Sequence, residues 1–291
     1  MKIAYGIQKR ISKKRKDLIS VIDDIACEYD ARGLQLTVRQ AYYQLVARGV
    51  IPNSAKEYTK IVDTVKIGRL AGLLDWNAFE DRGRYVRENT HWQNPEEILS
   101  QAVNQYHIDI RATQNFYIEA WIEKDSLVSI LEDVCKPLDV PCFSCRGFAS
   151  ITALYEAAER LNEYENPVIF YAGDHDPSGL TIAKNIEDTL TNTFQTQFLF
   201  KRIAITPQQI KEMNLPSFPA KEQDKNYPCY VENTGLTEAW ELDALPPEIL
   251  MKNFKEAISE YTDFSEIEKL KEKEKEEKCF LKNTIKELCN F

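Results

Sequence analysis

Two aspartates follow a short apolar segment near the middle of the chain. Residues 168–172 form a β-branched and aromatic run without polar alternation, which predicts a buried strand. Asp174 and Asp176 come just after it, two residues apart, so their side chains point the same way in an extended segment. Two carboxylates this close repel each other unless a cation lies between them, and oxygen ligands suit Mg²⁺. The pair predicts a magnesium site at the carboxyl end of a strand; alternatively, Asp176 only caps the following helix.

A glutamate ends an earlier predicted strand, residues 116–123. If this strand and the strand before the two aspartates are neighbours, Glu123 lies near both carboxylates and completes the metal site. Arg146 and Gly147 follow the next predicted strand, where a glycine lets a phosphate approach closely. The plain alternative for Glu123 is a charge at the start of a helix.

A tyrosine and an arginine share one face of an N-terminal helix. The capping box at residues 37–40 opens this helix and Gly49 closes it. Tyr42 lies on the apolar stripe, whereas Tyr43 lies beside Arg39, one turn earlier. We therefore expect Tyr42 in the core and Tyr43 exposed. An exposed tyrosine next to an arginine could attack a phosphodiester, or it could be a surface tyrosine without a function.

Charge is distributed unevenly along the chain. Residues 1–90 hold 17 Lys+Arg and 11 Asp+Glu, a net of +6, and the other 201 residues hold 20 and 35, a net of −15, which together give −9. A basic N-terminal part is compatible with phosphate contacts, and also with ordinary solvated helices. The candidate DNA-binding cations are Lys60, Lys66, Arg69, Arg82, Arg84, Lys124 and Arg146.

The order of predicted elements gives an α/β fold with two domains and a tail. Three helices and a basic hairpin-like stretch at residues 81–87 are the parts of a winged helix, although any small helical bundle starts similarly. From residue 111 strands and helices alternate, which predicts a Rossmann-like, mainly parallel sheet. We expect a winged-helix-like domain at 1–110, the sheet domain at 111–250 and a charged helical tail at 251–291.

Composition indicates the cellular compartment in which the protein is expected. No run of about eighteen apolar residues is present, and the N-terminus lacks the apolar segment of a signal peptide, so no membrane partner is expected. The seven cysteines are scattered and odd in number, which indicates a reducing cytoplasm. Cys142 and Cys145 form a CxxC pair without a second pair or a nearby histidine, so structural zinc is disfavoured.

The separated motifs together resemble a known family. Trp-Ile-Glu123-Lys-Asp-Ser, Arg-Gly147-Phe and Gly-Asp174-His-Asp176-Pro-Ser-Gly resemble the Toprim fold of topoisomerases, primases and some nucleases. Thr-Val-Arg-Gln-Ala-Tyr-Tyr43 is similar to the tyrosine motif of topoisomerase VI A subunits and of the meiotic double-strand-break transesterase. The resemblance covers roughly residues 35–250 and extends to short A-like proteins of phages and mobile elements.

The resemblance implies a reaction and partners. Tyr43 would attack double-stranded DNA and become joined to a 5′ end, Arg39 would support the phosphate, and the carboxylates of Glu123, Asp174 and Asp176 would hold Mg²⁺. Proteins of this family cut as homodimers, with one subunit's tyrosine facing the other's metal site. A separate ATPase subunit is left open, since no segment for docking one is evident.

Two other functions fit the same residues. In a Toprim-type hydrolytic nuclease of a defence system or mobile element, water attacks the phosphodiester and Tyr43 has no role. In a non-enzymatic DNA-binding subunit, the carboxylates are structural.

Overall fold

The computed structural model describes residues 2–5, 11–79, 89 and 91–289. Within these residues the fold is mixed α/β, with eleven α-helices, a four-stranded parallel sheet and a two-stranded antiparallel sheet. The helices are α1 (Lys13–Asp30), α2 (Val38–Ala47), α3 (Ala55–Leu70), α4 (Pro95–Gln105), α5 (Val128–Cys135), α6 (Ile151–Leu161), α7 (Pro177–Asp188), α8 (Pro207–Met213), α9 (Tyr227–Thr234), α10 (Pro247–Glu260) and α11 (Phe264–Cys289). The strands are β1 (Tyr117–Ile122), β2 (Cys142–Ser144), β3 (Pro167–Ala172), β4 (Leu199–Ala204), β5 (Phe218–Pro219) and β6 (Glu238–Ala239).

The parallel sheet has the strand order β2-β1-β3-β4, which confirms the α/β expectation. Strands β1 and β3 are neighbours, paired from Tyr117 opposite Pro167 to Ile122 opposite Ala172. Every residue of β3 is buried, because helices cover both faces of the sheet. The two central strands therefore end side by side, and the residues after them meet at one edge.

Helices pack on both faces of the sheet. Ile118 and Phe170 face a core shared with α5 and α10, and Trp121 and Tyr171 face a core shared with α6 and α7. Helix α10 crosses the expected domain boundary at residue 250, because Phe254 in its middle is fully buried in the first core. The chain after residue 250 thus begins as part of the sheet domain.

The first three helices pack around a core of their own. Thr37 and Gln40 form the expected capping box at the start of α2, and the Ser54 hydroxyl accepts from the Glu57 amide at the start of α3. The expected hairpin at residues 81–87 lies outside the described residues.

The charged C-terminal helix is solvated and paired along its length, as expected. Its lysines form ion pairs three or four residues away, such as Lys278 with Glu274 at 2.6 Å. Helix α11 also packs against α4, and Tyr106, just after α4, donates a hydrogen bond to Glu277. Within the described ranges, no helix is long and apolar enough to cross a membrane.

Candidate active site at the carboxyl ends of the parallel strands

Glu123 and Asp174 lie together at the sheet edge. The Asp174 amide donates a 2.9 Å hydrogen bond to Glu123 Oε2, because β1 and β3 are adjacent and end in register. Gly173 permits this approach, since a Cβ there would lie 2.6 Å from the same oxygen. The structure therefore brings these two predicted site residues together.

Asp176 is both close to this pair and a helix cap. Its Oδ1 accepts a 2.6 Å hydrogen bond from the Gly179 amide at the start of α7, so the capping interpretation is correct. Gly179 packs directly against the Asp174 backbone, where a Cβ would lie 2.3 Å from the carbonyl oxygen. This tight turn fixes both aspartates relative to each other.

Burial and mutual repulsion raise the pKa of two of the carboxyl groups. Glu123 and Asp174 are each only 8% exposed. Loss of solvation raises the pKa of Glu123, and the nearby charge of Asp174 raises it further. Loss of solvation also raises the pKa of Asp174, although the Lys124 ammonium opposes this shift. A cation bound here would relieve the repulsion.

The donor chemistry of the three carboxylates fits a magnesium ion. Hydrogen bonds within the described part of the chain use one oxygen of each group: Glu123 Oε2, Asp174 Oδ1 and Asp176 Oδ1. The second oxygen of each remains for an oxygen-binding metal. Among the described residues, no group of three or more His, Cys, Asp or Glu side chains is arranged closely enough to hold a metal. Binding would require small adjustments of these side chains.

Lys124 lies inside the site, surrounded by carboxylates. Its ammonium is 2.9 Å from Asp174 Oδ1, 2.8 Å from Asp243 Oδ2 and 3.3 Å from Glu241 Oε2. The side chain is only 18% exposed. The DNA-binding role of Lys124 stays a prediction, and in this structure three carboxylates hold its charge.

Arg39 reaches the same acidic cluster from α2. Its Nε donates a 2.8 Å hydrogen bond to Glu241 Oε2, and its Nη2 contacts the same oxygen. Burial disfavours the Glu241 charge, but Lys124 and Arg39 outweigh burial and lower the pKa of Glu241. Glu241 is therefore an ionised carboxylate held between one cation from α2 and one from the end of β1.

Tyr43 is buried, which corrects the expectation that it faces solvent. Its side chain is 3% exposed, the same value as the expected core residue Tyr42. Both rings belong to the N-terminal core, because the short 3₁₀ turn Leu242–Ala244 packs against α2 and Ala244 joins that core. Burial, and then the Glu241 charge, raise the pKa of the Tyr43 phenol. The tyrosine lies beside the acidic cluster, covered by it.

The candidate cations of α3 differ in their surroundings. Lys66 is exposed, and Lys60 is half-exposed and bonded to Glu57 at 2.7 Å. Arg69 Nη2 donates to the backbone carbonyls of Trp76 and Phe79, at 2.9 and 2.5 Å, and its expected DNA contact stays a prediction. Arg69 thus fixes the segment that follows α3.

Three candidate cations remain, Arg82, Arg84 and Arg146. Arg82 and Arg84 lie outside the described residues. Arg146 is 76% exposed, with its Nε 3.1 Å from the Asp125 carboxylate, and the space in front of Gly147 is open. This end of β2 is therefore accessible to a phosphate.

Sequence reasoning missed the acidic residues that complete the cluster. The sequence alone predicts no role for Glu241 or Asp243. Asp243 is 2% exposed, and its Oδ1 has no hydrogen-bond partner among the described residues. An acidic pair before Pro-Pro was the available signal, but nothing local links it to residues more than sixty positions earlier.

Comparisons with known proteins do not identify a function, so the function is inferred from the geometry of the site. No protein-family model matches the chain, and a search of curated proteins finds no match. Three carboxylates are available to bind a cation, and the side chains of Arg39 and Lys124 are available to bind an anion. The Tyr43 phenol lies near these two side chains. Such a set is suited to phosphoryl transfer.

Proposed function

We propose that this chain is a magnesium-dependent DNA-cleaving enzyme of the topoisomerase VI A type. In this proposal α1–α3 belong to a winged-helix-like domain and the parallel sheet to a Toprim domain. The observation that carries it is the contact between Glu123 and Asp174 at the ends of neighbouring parallel strands, with Asp176 in the next turn. This contact joins motifs about fifty residues apart that the sequence resemblance predicts to act together.

The three carboxylates would hold magnesium through their free oxygens. When bound, the ion would neutralise charge on the scissile phosphate and orient it. Glu123 and Asp174 contribute by being held rigidly at strand ends, and Asp176 by being fixed as the cap of α7. These backbone anchors fix where the three carboxylates begin, and the side chains would adjust when the ion binds.

Tyr43 is the proposed nucleophile. Its oxygen forms a bond to phosphorus while the P–O3′ bond breaks, giving a 5′-phosphotyrosine and a free 3′-hydroxyl, which takes up one proton in place of that lost by the phenol. Arg39, one turn away, stabilises the phosphate charge. Because Tyr43 is 3% exposed, the contacts that cover it must open before DNA can reach its oxygen.

The proposed partners are double-stranded DNA and a second copy of the chain. Exposed Lys66 and Arg146 support phosphate contacts on two parts of the molecule. Family resemblance implies a homodimer that cuts both strands, and it leaves open a separate ATPase subunit.

A hydrolytic nuclease is the second candidate, and one observation favours it. The burial of Tyr43 behind Glu241 would not matter if water were the nucleophile, because the carboxylates alone would serve. The two candidates share the metal site and differ only in what becomes attached to the cut DNA.

Incubation with supercoiled plasmid and Mg²⁺ tests the shared part of the proposal. We expect strand breaks from the parent protein, none in EDTA, and none from Glu123→Gln or Asp176→Asn. Glu132→Gln, a change to an exposed carboxylate on α5, is the matched control and should cut as the parent does. Intact DNA with the folded parent protein, or equal cutting by all variants, would contradict the proposal.

A further inference from the structure

The Glu241 carboxylate lies where cations and a phenol converge. Arg39 donates to it from one side, with Nε at 2.8 Å, and the Lys124 ammonium lies 3.3 Å away on the other. Tyr43 follows Arg39 by one turn of α2, and the 3₁₀ turn just after Glu241 packs against this helix. Two cations from different parts of the fold thus meet on one anion, near the buried Tyr43.

We propose that Arg39 and Lys124 form the binding site for one DNA phosphodiester, and that Glu241 occupies this site until DNA displaces it. The inference rests on the proposed function and adds a regulatory element to it. The closed arrangement is then a resting state in which the protein's own carboxylate takes the place of the substrate anion.

The chemistry of the occupant supports this assignment. Guanidinium and ammonium groups bind carboxylate and phosphate oxygens in similar geometry, so a phosphodiester can replace a carboxylate without rearranging the cations. Glu241 is 19% exposed in its side chain, and it therefore lies at an entrance and not in a sealed core.

The segment that carries Glu241 is anchored on the metal-binding carboxylates. The Leu242 amide donates a 2.7 Å hydrogen bond to Asp174 Oδ1, and Asp243 binds Lys124 at 2.8 Å. The second oxygen of Asp243 is buried, with no hydrogen-bond partner in the described part of the chain. A cation bound to Asp174 and a phosphate bound to Lys124 would each weaken an anchor of this segment, so ligand binding and release of Glu241 are coupled.

A permanent ion pair between the helices and the sheet domain is the competing explanation. Arg32 and Glu248 provide the matched comparison, because they also join α1–α3 to the later chain, at 3.0 Å, and contact neither Tyr43 nor Lys124. Glu241→Gln and Glu248→Gln each remove one negative charge from this boundary at nearly constant volume.

Fluorescence anisotropy with a short labelled DNA duplex, in EDTA to prevent cleavage, tests the inference on the full-length protein. We expect Glu241→Gln to bind about tenfold more tightly than the parent, because a charged hydrogen bond no longer has to be broken first. Glu248→Gln should stay within about twofold of the parent, the size expected for one distant charge. Equal effects of the two changes, or weaker binding by Glu241→Gln, would overturn the inference.

A second variant keeps the test valid if Glu241→Gln does not fold. Glu241→Asp keeps the charge but withdraws it from Arg39, and it should also tighten DNA binding; parent-like affinity would overturn the inference. A parent protein that cleaves DNA while neither variant binds more tightly leaves the proposed function standing and removes this inference alone. A parent protein that neither cleaves nor binds DNA removes both.

Discussion

The Asp174 amide donates a 2.9 Å hydrogen bond to the Glu123 carboxylate, and this contact links two strand ends that are about fifty residues apart in the chain. The contact places the Glu123 carboxylate directly against Asp174, which carries the second carboxylate of the site. Both groups are 8% exposed, and both have a pKa above the ordinary range. Burial and the neighbouring Asp174 charge thus disfavour the ionised form of Glu123, while the Lys124 ammonium, 2.9 Å from Asp174 Oδ1, offsets part of the charge there.

Stability should fall with rising pH because of Glu123. An acid whose pKa is raised on folding holds its proton more tightly in the folded state, so its contribution is fully present below the ordinary pKa, about 4, and is lost as pH rises through the raised value. Without metal, Glu123→Gln should exceed the parent in free energy of unfolding by about 1 kcal/mol or more at about pH 8, and by much less at about pH 5. Urea denaturation in EDTA measures this; a difference independent of pH would contradict the assigned shift.

Two substitutions of Asp176 should distinguish its role as a helix cap from its proposed role as a metal ligand. Asparagine also caps helices well, so Asp176→Asn should keep the stability of the parent but lose metal binding, whereas Asp176→Ala should lose metal binding and also about 1 kcal/mol of stability. Titration with Mn²⁺, followed by its electron paramagnetic resonance signal, gives the affinity, and thermal melting gives the stability. An Asn variant with parent-like metal affinity would remove Asp176 from the site.

Tyr42 should be important for stability. Its hydroxyl accepts a 2.7 Å hydrogen bond from the Ser54 amide and donates to Asn53 Oδ1 at 2.8 Å, so Tyr42→Phe should cost about 1–3 kcal/mol. Tyr58, whose ring packs against that of Tyr42, is the matched control, because its hydroxyl has no hydrogen bond within the described residues. Equal melting temperatures for Tyr42→Phe and Tyr58→Phe would show that these bonds contribute little.

Two cations of α3 should behave differently when DNA binding is measured against salt. Lys66 is exposed, so Lys66→Ala should lower the log–log salt slope by about 0.9 if it contacts one phosphate. Arg69 is bonded to two backbone carbonyls, so Arg69→Ala should reduce stability and leave the slope of the folded protein unchanged. The reverse pattern would show that the DNA-binding face of α3 lies on the Arg69 side.

The strands and their order along the chain could be predicted because their signals are local. Residues 168–172 are continuously apolar, and only a strand covered on both faces requires this, so β3 was located to within one residue. The position of Glu123 beside Asp174 followed from a single assumption, that β1 and β3 are neighbours, which is correct. The capping box at residues 37–40 likewise predicted the start of α2.

The environment of Tyr43 could not be predicted, because it depends on contacts distant in sequence. A helical wheel shows which face of α2 points away from its own core, and it placed Tyr43 on that face beside Arg39. It cannot show that a turn some two hundred residues later covers this face with Ala244 and Glu241. The ion pairs of Lys124 could not be predicted for the same reason, since its partners Glu241 and Asp243 are more than one hundred residues away.

Covalent capture of DNA tests the central claim most directly. Duplex DNA labelled at its 3′ ends is incubated with protein and Mg²⁺, denatured with detergent and separated by electrophoresis. If Tyr43 is the nucleophile, the parent protein carries the label. The Tyr43→Phe variant carries none, although it keeps its fold and its DNA binding. Free cut ends without labelled protein, together with unchanged cutting by Tyr43→Phe and loss of cutting in Glu123→Gln, would contradict the tyrosine mechanism and identify a hydrolytic nuclease.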